Sequence, residues 1–124
     1  MEAPHGECRD LERRLFAFAL RVIRLCQKLG EKPGVARTLS YQLLRAGTSI
    51  GANYEEAQAG QSRADFVSKN CVALKEACET CYWLRLLSEA RIVSATLIAD
   101  LSDEAQQLAK ILGSIVSRSR KALT

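Results

Sequence analysis

The sequence predicts an all-α protein, folded as an up-down-up-down antiparallel four-helix bundle. Three observations predict it. Apolar residues recur every three or four positions along most of the 124 residues. Two prolines, seven glycines and 6% aromatic residues leave little material for a β-sandwich or barrel. The breaks in the pattern are short and divide the chain into four segments of similar length, and helices of that length joined by short turns pack against their sequence neighbours.

The first helix is expected over about residues 8–29, after a disordered leader at 1–7; residues 8–124 form one domain. Leu11, Leu15, Phe18, Val22, Leu25 and Leu29 form its inner seam, which Phe16, Ile23 and Cys26 widen. Gly30 reads as a C-cap, followed by the turn Glu31-Lys-Pro-Gly34. The second helix runs from about Val35 to Ala59 on a stripe of Leu39, Leu43, Ala46, Ile50, Asn53 and Ala57. Ser62-Arg-Ala-Asp65 is a capping-box pattern that opens the third helix, which continues to about Ala90 through Phe66, Asn70, Ala73, Ala77, Cys81, Leu84 and Leu87. The fourth starts near Ser94 and carries Leu97, Leu101, Ala105, Leu108, Leu112 and Ile115. Its acidic residues lie early and Arg118, Arg120 and Lys121 late, as the helix dipole favours.

With 48% apolar and 26% charged residues, the composition excludes disorder. The longest run without a charge, Ala46 to Tyr54, is far short of the ~20 residues of a membrane span. The first eight residues have no apolar core, so no signal peptide is expected. Five cysteines without a scaffold rhythm suit a reducing compartment, and a cytoplasmic location is the expectation.

Two segments are distinctive. The second helix reads Tyr41-Gln-Leu-Leu-Arg45-Ala-Gly-Thr-Ser49-Ile-Gly-Ala-Asn53-Tyr-Glu-Glu56-Ala. The third carries Asp65-Phe66-Val-Ser-Lys69, then Ala73-Leu-Lys-Glu76-Ala-Cys-Glu79-Thr-Cys-Tyr82-Trp83-Leu-Arg-Leu-Leu87. Over about residues 9–120 the chain resembles the four-helix-bundle family named after proteins encoded in intervening sequences of bacterial 23S ribosomal RNA genes. The resemblance implies a small bacterial cytosolic protein assembled as a homopentamer. It also implies kinship with an accessory protein of diversity-generating retroelements, which binds RNA and a reverse transcriptase. The partners to expect are therefore copies of itself, RNA or DNA, and a reverse transcriptase or other protein.

Gly47 and Gly51 each cost about 1 kcal/mol relative to Ala inside a helix. They read as a surface for close helix approach rather than a ligand groove, because no polar triad surrounds them. Asn53, on the inner stripe, needs hydrogen-bond partners, and a polar layer of Arg45, Ser49, Asn53, Glu56, Glu76 and Glu79 is expected to link the second and third helices and fix register or assembly. A catalytic pairing of Glu76 with Glu56 or Glu79 is set aside: no nucleophile, metal set or phosphate loop accompanies it.

Cys78-Glu-Thr-Cys81 is a CxxC, with Cys71 one heptad earlier. It lies mid-helix, away from the N-terminal dipole that activates redox pairs. A zinc site would have to borrow Cys8 or His5 from the leader, so small packing side chains are the plainer reading, and neither metal nor cofactor is expected. Tyr82 and Trp83 suggest base stacking, but Trp83 shares a face with Val72 and Leu87, which favours burial.

The net charge of +4 is mild. Arg14, Arg21 and Lys28 recur every seven residues with Arg24 alongside, and Arg118, Arg120 and Lys121 follow at the C-terminus. These seven are the candidate nucleic-acid-binding residues, acting through repetition in a ring rather than through a motif. With one histidine and no P-loop, HExxH or nucleophile elbow, no enzyme is expected. The first expectation is an oligomeric module that binds nucleic acid or a nucleic-acid-handling protein. The alternative is an assembly protein with a protein partner and no nucleic-acid contact.

Overall fold

The computed structural model describes the backbone of residues 5–123 and the side chains of residues 10–123. Four helices follow one another: α1 (His5–Leu29), α2 (Val35–Gln58), α3 (Arg63–Glu89) and α4 (Ala95–Leu123). The bounds agree with the expected ones to within a residue or so, except at the start. There α1 already includes residues 5–7, three of the seven in the expected leader; residues 1–4 lie outside the described residues.

Each helix packs on its sequence neighbours. The α2–α3 and α3–α4 seams are the most extensive, α1–α2 follows, and α1 meets α4 only thinly. The core is continuous from Leu11, Leu15, Phe18 and Val22 through Leu43, Ile50 and Tyr54 to Leu84, Leu87, Leu108 and Leu112. Three stripe residues fall elsewhere than expected. Phe16 is 62% and Leu97 76% exposed, while their neighbours Leu15 and Ile98 are buried. One residue is 100° of helix, so a single step carries a side chain from the core to the far face. On α2 it is Tyr54 that is buried, and Asn53 that lies half-buried at the edge.

The turns use three different devices. Gly34, the N-cap of α2, has φ +134°, a conformation open essentially to glycine alone. Gly30 is not in the left-handed region; its carbonyl instead accepts the Arg37 Nε–H at 2.9 Å, which satisfies a group orphaned at the end of α1. Ser62 caps α3 by accepting the Asp65 amide at 3.0 Å.

The α3–α4 turn is a Schellman motif with an arginine where glycine is usual. The Arg91 amide bonds the Ser88 carbonyl (3.0 Å) and the Ile92 amide bonds the Leu87 carbonyl (3.0 Å), with Arg91 at φ +59°.

The two helix-interior glycines face α1. A Cβ built on Gly47 would lie 2.9 Å from Val22 Cγ1, and one on Gly51 3.4 Å from Leu15 Cβ. The close approach expected of the small-residue surface is thus made within the chain, and at Gly47 it leaves no room for a methyl group.

Candidate functional site

The expected polar layer divides into separate contacts. Arg45 on α2 reaches across to α3, pairing with Glu76 at 3.2 Å and, closer still, with Glu79, while Gln42 accepts a bond from the same guanidinium at 3.4 Å. Glu79 also accepts the Trp83 indole N–H at 2.9 Å, one turn along α3. Ser49 and Asn53 do not join this cluster. Each bonds a carbonyl one turn back on its own helix, Ser49 to Arg45 at 2.5 Å and Asn53 to Ser49 at 2.8 Å. Asn53 therefore satisfies its amide locally, without the cross-helix partners expected of it. Glu56 forms a second α2–α3 link, to Lys69 at 3.1 Å, farther along the helix pair.

The buried amide is Asn70 rather than Asn53. It is fully enclosed; its Nδ2 donates to the Phe66 carbonyl at 3.0 Å and its Oδ1 has no partner. Trp83 and Lys69 are members of the polar contacts that the expected layer omitted. The i, i+4 spacing of Glu79 and Trp83 is the signal that could have placed the indole there.

The basic candidates also separate. Arg14 faces α4 and holds Glu104 in a two-pronged contact, Nη2 to Oε1 at 2.7 Å and Nε to Oε2 at 3.0 Å, with Gln107 accepting a third bond at 3.1 Å. This contact holds the Arg14 proton above its usual range, chiefly through the hydrogen bond to Glu104. Arg14 thus closes the thin α1–α4 seam and its charge is already matched, so it is not a free phosphate ligand.

Arg21, Arg24 and Lys28 are exposed, and among the described residues no ion pair involves them. Arg118 donates to the Ser114 carbonyl at 3.4 Å and Arg120 to the Cys71 thiol at 3.2 Å; both are exposed, as is Lys121. The two groups do not form one patch. Because α1 and α4 run antiparallel and meet at Arg14 and Glu104, Lys28 and Arg118 each lie fourteen residues beyond that contact in opposite directions. At 1.5 Å per residue they stand roughly 40 Å apart along the bundle.

One aromatic side chain shares the Lys28 end. Ser40 accepts the Cys26 thiol at 3.3 Å, which puts its neighbour Tyr41, 66% exposed, at the level of the last turns of α1. Tyr82 is also exposed and stands edge-on to the half-buried Trp83, ring centroids 5.2 Å apart. Among the described residues, no group of three or more His, Cys, Asp or Glu side chains could hold a metal ion, and no helix is long and apolar enough to cross a membrane.

A four-helix bundle whose outer faces carry separated basic groups is the class of protein that fold and surface define. The family model for the 23S rRNA-intervening sequence protein matches residues 10–114, and the chain belongs to that family. It is also similar to the crystal structure of a protein of unknown function from the S23 ribosomal protein family of Bacteroides thetaiotaomicron VPI-5482. The two are 39% identical with a TM-score of 0.79, over 86% of this chain and 97% of that one. No curated protein matches the chain.

Proposed function

We propose that this chain is a non-enzymatic, oligomeric bundle protein of the bacterial cytoplasm that engages nucleic acid, RNA foremost, or a protein that handles it. The observation that carries the reading is the group Arg21, Arg24 and Lys28: three exposed cations on one helix, unmatched by carboxylates among the described residues. Phosphate contacts need such uncommitted charge, and each adds to a salt-sensitive affinity. Tyr41, exposed at the same end, adds a face on which a base can stack.

Assembly strengthens the reading. A homopentamer, the state expected of the family, multiplies the +4 of one chain fivefold and presents the basic group in five copies. The exposed Phe16 and Leu20, one turn apart on the outward face of α1, supply apolar surface suited to contact between copies. The same surface favours a second reading, in which the bundle is an assembly protein with a protein partner and no nucleic-acid contact.

Binding of labelled RNA and single-stranded DNA at ~50 and ~200 mM salt separates the two readings. The first expects RNA binding that weakens steeply with salt and is lost when Arg21, Arg24 and Lys28 are all changed to Gln. Binding that is absent at low salt, or indifferent to salt, leaves only the second. Light scattering addresses assembly separately, and a clean 13.7 kDa species would overturn it.

A further inference from the structure

Between α3 and α4 lies a groove of about 370 Å³. Cys78 and Cys81 line its α3 wall, followed one turn later by Arg85; Gln106 of α4 forms part of the opposite wall. Thiols three residues apart on a helix lie on the same face as near neighbours. Cys78 is exposed and Cys81 half-buried, so the pair is open to a small ligand entering from solvent. Cys81 packs one side against the core, yet both residues line the groove, so packing alone leaves their open faces unaccounted for.

We propose that Cys78 and Cys81 form a two-thiol site for a soft monovalent metal ion of the copper(I) type. Soft thiolate ligands select such an ion, and it is satisfied by two of them in a line. Zinc needs about four ligands, and among the described residues no third metal-binding side chain of the His, Cys, Asp or Glu class groups with these two. The binding step is Cu⁺ + 2 RSH → [Cu(SR)₂]⁻ + 2 H⁺, with two Cu–S bonds formed, two protons released to solvent and no change of oxidation state. Because binding releases two protons, affinity rises with pH. The product carries one negative charge. Arg85 is the groove's cation and stands nearer the thiols in sequence than Glu89, the groove's carboxylate. It is the counter-charge.

The test titrates copper(I) into the reduced, full-length protein without oxygen, against a coloured copper(I) chelator. A second probe, phenylarsine oxide, bridges two thiols with loss of water and yields a neutral adduct. One copper(I) per chain is expected, bound at least tenfold more tightly than in Cys78→Ser or Cys81→Ser, with Cys71→Ser unchanged. Arg85→Gln should weaken copper several-fold and leave arsenical capture untouched, since only the copper complex is charged. Copper binding unaffected by either serine variant overturns the proposal. So does arsenical capture without copper binding, which would show paired thiols that do not hold the ion. The serine exchanges are small and fall at exposed or half-buried positions, and circular dichroism verifies that the variants fold.

Discussion

A methyl group added at Gly47 would sit 2.9 and 3.0 Å from the two γ-carbons of Val22, a fully buried residue with a stiff, β-branched side chain. At Gly51 the nearest atom, Leu15 Cβ, is 3.4 Å away, an ordinary contact. Both glycines lie inside α2, so each Gly→Ala exchange gains about 1 kcal/mol of helix propensity. Gly51→Ala is therefore expected to stabilise by about that amount. Gly47→Ala adds an overpacking cost of about 1–3 kcal/mol, so its net effect runs from neutral to about 2 kcal/mol destabilising. The propensity gain cancels in the comparison, and the difference between the variants isolates the clash. Val22→Ala clears the space at its own cost of about 2 kcal/mol. In that background Gly47→Ala should become stabilising by about 1 kcal/mol. Urea unfolding at one fixed protein concentration measures all four variants and yields the coupling between positions 22 and 47. If Gly47→Ala stabilises as much as Gly51→Ala, or if Val22→Ala and Gly47→Ala are additive, the close-packing argument is wrong.

Three further outcomes are expected. Arg91→Gly removes the strain of a left-handed arginine in the Schellman turn and should raise stability by about 1 kcal/mol in the same urea assay. Burial pushes the Cys26 thiol up to about 11 from an ordinary 9.0. Above about pH 9 the unfolded chain gives up this proton while the folded chain keeps it, so stability falls from about pH 9 to about pH 11, by roughly 2–3 kcal/mol. Cys26→Ala should flatten that slope in unfolding measured across the range. Glu104→Gln breaks the two-pronged contact with the partly exposed Arg14 and should cost about 0.5–1 kcal/mol, a loss that shrinks at high salt.

The helices were legible because each carries its own signal: period, cap and breaker all lie within a few residues. Ser62 with Asp65 marked the start of α3, and that cap is present. The angular position of each side chain was less legible. Phe16 and Leu97 are as apolar as their buried neighbours, and only the exact rotation of the helix in the bundle decides which of each pair is enclosed. Asn53 and Asn70 differ in the same way. The polar contacts were legible where partners lie on adjacent helices, as for Arg45 with Glu76 and Glu79. The pairing of Arg14 was not legible because its partner, Glu104, is 90 residues away, and no local pattern distinguishes a committed arginine from a free one.

The unequal seams bear on how the chain reaches this structure. Every extensive contact joins helices that follow one another in sequence, through turns of a few residues. Little loop entropy stands in the way of any of them, and a topology of such low contact order folds rapidly. The one long-range closure, α1 against α4, is also the thinnest, so ring closure of the bundle adds little to the driving force. The hairpin of α2 and α3, with α4 beside it, can gather without waiting for the N-terminal helix, and α1 is the element whose departure exposes the least established structure.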